Sequence, residues 1–265
     1  MNGRAATATA LLLWGVPLGA SGQDGARAPA FAPTWPFAAG ETAVYDVTVG
    51  PVRVGRAVLA VEGEEVVRGI ETVRLAFEVS GGPFFYKIDD RNVSWLATDP
   101  YATVRFEQIL HQGSYERHRR YELDPATLTY DREDWDEDED AYRPHHEEVG
   151  IEIPEGALDE ISFLFLARTL PLEVGRTYTF ENYFQEDGNP VVVQVLRREN
   201  VRVRAGRFDT IVVRPIIRSG GLFAEEGEAE LYISDDDERR IVQLKSRMRA
   251  GQMSMYLREF ESGRR

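Results

Sequence analysis

Residues Asp159 to Gly175 read DEISFLFLARTLPLEVG, and this stretch decides the fold. Ser162 is the only polar residue between Ile161 and Ala167, so a helix formed here is apolar on every side. Such a helix must be covered by protein over most of its surface. The rest of the chain therefore has to supply that cover.

The ends of this helix are marked by local signals. Two acids, Asp159 and Glu160, favour the start of a helix because they complement its dipole. Pro171 cannot continue a helix and ends it. We therefore predict one helix over residues 157–169.

Period-two alternation of apolar residues dominates the chain on both sides of this helix, which is typical of β-strands. One example is the set Val73, Leu75, Phe77 and Val79. The spacing of such runs indicates about a dozen strands in antiparallel meanders. The sequence predicts an all-β fold, in which a curved antiparallel sheet or open barrel encloses one central helix. A single β domain is expected over residues 37–262.

Composition limits the partners of this protein. Its 45 acidic residues against 31 Lys and Arg give a net charge of −14. That charge repels phosphate backbones, so no nucleic-acid partner is expected. The chain contains no cysteine, which excludes disulfide partners and thiolate metal sites.

The first residues have the pattern of an export signal. A short basic start is followed by the apolar stretch Ala5 to Gly19, with small residues before a cut near Ala20. A retained membrane anchor is the alternative. Residues 21–36 are rich in Gly, Ala and Pro, which predicts a disordered linker. We expect an exported, periplasmic protein after cleavage.

Several short motifs follow one another along the chain: Phe37-Ala38-Ala39-Gly40-Glu41 with Tyr45, Asp159-Glu160-Ile161-Ser162 through Arg168 and Gly175, Val203-Arg204-Ala205-Gly206-Arg207-Phe208, Leu231-Tyr232-Ile233-Ser234-Asp235-Asp236, Arg240-Ile241-Val242 and Gly251. In their order and spacing, over residues 37–260, these motifs resemble the exported bacterial family called domain of unknown function 3108. Phe165 stands near a family tyrosine, and Tyr232 replaces a family tryptophan.

The resemblance implies an exported, mostly β protein with no established activity. At fold level it is similar to periplasmic lipoprotein carriers, whose open half-barrel closes over a helix and holds acyl chains. Fold alone does not fix function. With the apolar helix, this resemblance predicts a non-catalytic envelope protein that binds an apolar or amphipathic ligand, such as a lipid, or a partner protein.

Six apolar residues are predicted to line or plug the hollow of the sheet. No cofactor is expected, and the oligomeric state stays open. A structural scaffold with a filled interior is the first alternative. The six residues are Phe163, Leu164, Phe165, Leu166, Phe84 and Phe85.

Two charged residues of the helix are candidates for anchoring it to the sheet. Asp159 and Arg168 are nine residues apart, or roughly 13 Å along a helix, so they cannot pair with each other. Each is predicted to make a buried, charge-assisted hydrogen bond to the sheet. Contact with a ligand head group is the alternative.

Residues 131–140 read DREDWDEDED, which predicts a charged surface loop. A calcium site is a weaker hypothesis, because Ala141 stands where such a loop needs glycine. Its candidate ligands are Asp136, Asp138, Asp140 and Glu147.

The run His145-His146-Glu147-Glu148 suggests a metal-dependent hydrolase as a second alternative. Adjacent histidines of a strand point to opposite faces, which opposes a shared metal. No GxSxG motif occurs, so no serine nucleophile is predicted.

Overall fold

The computed structural model describes residues 35–82, 86–217, 229–248 and 251–263. The predicted signal peptide and all but the last two residues of the predicted linker lie outside this part of the chain. Those two residues contact the fold, since the ring of Trp35 lies 5.6 Å from that of Tyr101.

In these described ranges, fifteen strands form one antiparallel sheet, and one α-helix accompanies it. The first nine strands are β1 (Thr42–Val49), β2 (Val52–Val67), β3 (Ile70–Gly81), β4 (Ile88–Thr98), β5 (Tyr101–Gln112), β6 (Tyr115–Asp124), β7 (Thr129–Asp136), β8 (Ala141–Pro144) and β9 (Ile151–Glu152). After the helix α1 (Glu160–Thr169) come β10 (Thr177–Phe180), β11 (Val191–Val203), β12 (Gly206–Ile216), β13 (Glu230–Ser234), β14 (Ile241–Met248) and β15 (Gly251–Glu261). The predicted all-β class is confirmed.

Consecutive strands pair from β1 to β8 and from β10 to β15, and β1 also pairs with β15. The order runs from β10 through β15, then from β1 to β8, while β9 pairs with β7. The first and last described strands are therefore neighbours, with Val47 opposite Met255. The sheet is not closed, because β10 and β8 stand at its two edges.

The main core lies on one face of the sheet and includes α1. Alternation produces this core, since Leu75 in β3 and Phe106 in β5 each lie buried on that face. A smaller cluster around Trp95 and Val104 covers part of the opposite face. This second cluster explains why alternation in β4 and β5 is less regular than in β1.

Helix α1 is buried along its length. Every residue from Ile161 to Arg168 is buried, as an all-round apolar helix requires. The ring of Phe165 lies 4.8 Å from Phe37, and that of Phe163 lies 5.9 Å from Phe180. Within the described residues, no helix has the length and apolar character needed to span a membrane.

The predicted start of the helix at residue 157 is wrong by three residues. Asp159 is the N-cap, and its side chain forms a capping box with Ser162. Leu158 is instead extended and forms an isolated bridge with Tyr183. The helix ends at Thr169, as predicted, before Pro171.

The number of strands and the predicted loop 131–140 also need correction. The described part of the chain forms fifteen strands rather than about a dozen, and β8 and β9 are too short to show a period in the sequence. Strand β7 continues to Asp136, so only residues 137–140 form a turn. Acidic β7 is stable beside β6 because Arg120 forms an ion pair with Glu133 at 2.6 Å.

Candidate functional site

On the face of the sheet that packs against α1, side chains of β3 to β6 form rows that run across the strands. Each row contains the residues that the strand register places opposite one another. The first row is fully buried, and it contains Leu75, Ser94, Phe106 and Tyr121. Ser94 contacts the N-cap of α1, so this row lies at the start of the helix.

The next two rows of the same face are only half-buried. We call their eight residues the inner-face patch: Phe77, Asn92, Gln108 and Arg119 in one row, and Val79, Asp90, Leu110 and Arg117 in the next. Burial therefore falls beyond the start of α1, and a mixed apolar and polar surface becomes partly accessible.

Asp159 joins the start of α1 to the sheet beside the patch. One carboxylate oxygen accepts hydrogen bonds from the hydroxyls of Ser94 in β4, at 2.5 Å, and Thr103 in β5, at 2.8 Å. The other oxygen accepts from the backbone N–H groups of Ile161 and Ser162. Burial raises the pKa of Asp159, and these hydrogen bonds oppose that rise. The network fixes where the helix begins.

A second acid, Glu160, stands next to this network at the first position of α1. Burial, with a contribution from the charge of Asp159, raises the pKa of Glu160 to about 7. A hydrogen bond from Tyr183 and the charge of Arg117 oppose this rise. Glu160 therefore changes charge near neutral pH at the edge of the patch.

This titration predicts how stability depends on pH. The unfolded chain releases the Glu160 proton near pH 4.5, whereas the folded protein holds it to about pH 7. Stability therefore falls as pH rises through this window. We expect Glu160→Gln to be more stable than wild type at pH 8, by on the order of 2 kcal/mol, and equally stable at pH 4. Urea unfolding at both pH values checks this, with the exposed Glu155→Gln as a control that shows no such difference.

Arg168 holds the other end of α1. Its guanidinium donates to both carboxylate oxygens of Glu41, at 2.6 and 3.0 Å. It also donates to three backbone carbonyls, those of Pro36, Glu238 and Arg239. Both ends of the helix are thus fixed by buried, charge-assisted hydrogen bonds.

The two arginines of the patch lack this kind of partner. Among the described residues, no carboxylate forms an ion pair with Arg117 or Arg119, and the Nε atom of each is buried without a hydrogen-bond partner. Arg119 donates to the hydroxyl of Tyr121 at 3.1 Å, and Arg117 lies 5.3 Å from the ring centre of Tyr115.

Acids near the patch are already engaged by other groups. Asp134 is opposite Arg119 in the register, but it accepts from Arg132 and from the Nδ1 atom of His145. Asp90 accepts from the side chain of Gln112 and from a backbone N–H. The positive charge of Arg117 and Arg119 is therefore not neutralised by these acids.

Most of the described sequence matches one protein family. Residues 44–258 match the family described as protein of unknown function (DUF3108). The chain belongs to this family. The resemblance of the motifs is thereby confirmed. No protein of curated function matches this DUF3108 chain.

This DUF3108 protein is similar to several solved structures at low sequence identity. A β-barrel-like protein of the family DUF1849 from Brucella abortus is 9% identical, with a TM-score of 0.50. The match covers 86% of this chain and 99% of the Brucella chain. A candidate lipoprotein from Parabacteroides distasonis is 10% identical, with a TM-score of 0.32 and coverages of 86% and 99%. A candidate exported protein with a YmcC-like fold from Bacteroides fragilis is 11% identical, with a TM-score of 0.30 and coverages of 86% and 98%. The last two similarities are too weak to carry an argument.

Three of the motifs that carry the DUF3108 resemblance are joined through the end of α1 that carries Arg168. Glu41 of the first motif binds Arg168 of the second. The hydroxyl of Tyr45, also in the first motif, donates to the carbonyl of Ile241 at 2.9 Å. These motifs thus contribute to fixing that end of the helix.

The predicted site residues lie at several places in the structure. The four helix residues Phe163 to Leu166 are buried in the core, and Asp159 and Arg168 lie at opposite ends of α1. Phe84 and Phe85 lie outside the described residues. The inner-face patch was not predicted, although alternation in β6 places Arg117, Arg119 and Tyr121 on one side.

The weak calcium candidates form the turn between β7 and β8 and the loop that follows. Asp136 accepts from the backbone N–H groups of Asp138 and Glu139, as in an ordinary turn. Asp140 is exposed in the same turn, and Glu147 is exposed beyond β8. In the described part of the chain, no group of three or more His, Cys, Asp or Glu residues is placed to hold a metal ion.

The histidine pair is divided by the structure. His145 contacts Asp134 at 2.8 Å, whereas His146 is exposed. Both histidines lie beyond the end of β8, so the alternation of side chains along a strand does not apply to them.

Proposed function

We propose that this protein binds an apolar or amphipathic molecule on the inner-face patch, without catalysis. The observation that carries this proposal is the drop in burial between the first row, with Phe106 and Tyr121, and the next two. Small-molecule sites are lined mostly by apolar side chains, with a few polar groups that fix the orientation of the ligand, and the patch offers both kinds of group.

The proposal includes a sheet that bends around α1 as an open barrel. Support comes from contacts of α1 with strands far apart in the order of the sheet. Its start binds Ser94 in β4, while Phe163 packs against Phe180 in the edge strand β10. A flat sheet cannot bring these strands to one helix, because neighbouring strands lie about 4.8 Å apart.

Within this arrangement, α1 plugs the deep part of the hollow and the ligand lies beside it. Phe163, Leu164, Phe165 and Leu166 then serve as the plug. The ligand's apolar part would contact Phe77, Val79 and Leu110, which are half-buried. Each buried methylene group contributes about 0.8 kcal/mol to binding.

Export completes the proposal. The basic start and apolar stretch of residues 1–20 support a signal peptide and a cut near Ala20. A periplasmic protein with an amphiphile site would serve the cell envelope, where such molecules are abundant.

A scaffold with a filled interior is the second candidate. The complete burial of Phe165 and its neighbours in α1 favours it. The two proposals differ in whether the inner-face patch binds a small molecule, since a scaffold needs no such ligand there.

Binding of an uncharged apolar dye separates these proposals. We expect N-phenyl-1-naphthylamine to gain fluorescence with the wild-type protein, and Leu110→Asp to weaken its binding roughly tenfold, because a carboxylate would replace apolar surface. Val66→Asp is the matched control, since Val66 is 65% exposed on β2. Absence of any dye binding, or equal weakening by both variants, would favour the scaffold.

A further inference from the structure

We infer that the ligand carries an anionic head group, a carboxylate or a phosphate, which Arg117 and Arg119 bind. The inference rests on the proposed amphiphile site and adds the chemical class of its ligand. It starts from two neighbouring positive charges on a face where the surrounding acids have other partners.

The two arginines are placed to act together. They are two residues apart in β6 and face the same side, so their Cα atoms are roughly 7 Å apart. Long side chains at this spacing can converge on one group of oxygen atoms. A guanidinium binds carboxylate and phosphate oxygens with paired N–H donors.

Nearby arginines show that this chain usually supplies a carboxylate. Arg105 bonds Glu122 at 2.6 Å, and Arg132 bonds Glu148 at 2.6 Å. Arg117 and Arg119 have no such pair among the described residues, although the chain carries an excess of acids. An arginine without a carboxylate partner keeps its full positive charge, so it can form charge-assisted hydrogen bonds to an incoming anion through its terminal N–H groups.

The acids that face this part of the patch do not block it. Asp134 and Asp90 are occupied by Arg132, His145 and Gln112. Glu160 is close enough for its charge to interact with Arg117, but the two form no ion pair. The charges of Arg117 and Arg119 are therefore left for an external anion.

The apolar residues of the patch lie on β3 and β5, outside the strand that carries the arginines. Phe77 and Val79 lie in β3, three strands from β6, which is roughly 14 Å across the sheet. An alkyl chain extending from the arginines toward β3 would pass Leu110 in β5 and then Asp90 in β4, whose carboxylate accepts from Gln112. A single-chain amphiphile with its head group at β6 would thus place its alkyl chain against Leu110 and, beyond Asp90, against Val79.

Displacement of the dye by four dodecyl compounds tests the inference. The probes are dodecanoate, dodecyl phosphate, uncharged dodecyl maltoside and cationic dodecyltrimethylammonium, each below its micellar concentration. We expect at least one anionic probe to bind roughly tenfold more tightly than the uncharged one, and the cationic probe to bind most weakly. The ratio of dodecanoate to dodecyl phosphate then distinguishes a carboxylate from a phosphate head group.

The double variant Arg117→Gln/Arg119→Gln should lose this preference and keep its affinity for dodecyl maltoside. Arg202→Gln/Arg207→Gln is the control, because it removes the same charge from exposed positions on β11 and β12. Equal affinity of wild type for charged and uncharged probes would overturn the head-group assignment and leave the amphiphile site standing. Failure of all four probes to bind would overturn both.

Discussion

Replacing Asp159 with alanine is expected to lower the free energy of unfolding by about 4 kcal/mol. The variant removes an acceptor that serves four donors in the core, two of them the hydroxyls of Ser94 and Thr103. The other two are the backbone N–H groups of Ile161 and Ser162 at the start of α1. Urea unfolding monitored by tryptophan fluorescence measures this loss.

Two further variants separate the buried network from ordinary capping. Asp159→Asn keeps an oxygen acceptor and should cost about half as much. Asp136→Ala removes a similar cap from the exposed turn after β7. We expect it to lower the free energy of unfolding by about 0.5 kcal/mol. If Asp159→Ala were no more harmful than Asp136→Ala, the network would not hold the helix.

Breaking the ion pair at the other end of α1 should have a comparable effect. The side chains of Arg168 and Glu41 are 1% and 7% exposed. Arg168→Met leaves the carboxylate of Glu41 buried without its partner, together with three backbone carbonyls. We expect a loss of about 4 kcal/mol, which is a large part of the stability of an ordinary domain.

If Arg168→Met does not fold, Glu41→Gln tests the same pair. This variant is milder, because the amide oxygen of glutamine can still accept a hydrogen bond from Arg168. We expect a loss of about 2 kcal/mol. The half-exposed pair of Arg197 and Glu230 provides the comparison, with contacts of 2.8 and 2.9 Å. Arg197→Met should cost about 1 kcal/mol. Equal losses for Arg168→Met and Arg197→Met would contradict an anchoring role for Arg168.

The all-β class and the existence of one buried helix could be predicted because both depend on local periodicity. Apolar residues alternate in strands such as β3, and the run from Ile161 to Ala167 has no polar face. The exact start of α1 could not be predicted. It depends on the hydroxyls of Ser94 and Thr103, which are distant in the sequence and fix Asp159 as the cap.

The prediction of a loop over residues 131–140, most of which form β7, was wrong because it also left out contacts between strands. Read alone, residues 131–140 favour a solvated loop because their charges repel. In the sheet, Glu133 stands beside Arg120, and Asp134 binds Arg132. The strand is therefore stabilised by neighbours whose register a single sequence does not reveal.

The inner-face patch depends on burial rather than on residue type. Alternation shows that Arg117 and Arg119 share a face with Tyr121. It does not show that the cover over this face ends after the first row, nor that Asp134 is taken by Arg132 and His145. Both features depend on tertiary structure, namely on how α1 packs and how β7 pairs, and local sequence patterns do not show this.

Thiol labelling at Leu110 tests the open inner face most directly, because the chain has no other cysteine. We predict that a maleimide reacts with Leu110→Cys in the folded protein and that dodecanoate slows this reaction. The same reaction at exposed Val66→Cys should be unaffected by dodecanoate. A folded Leu110→Cys protein that does not react, or that reacts equally fast with and without dodecanoate, would contradict the proposed site.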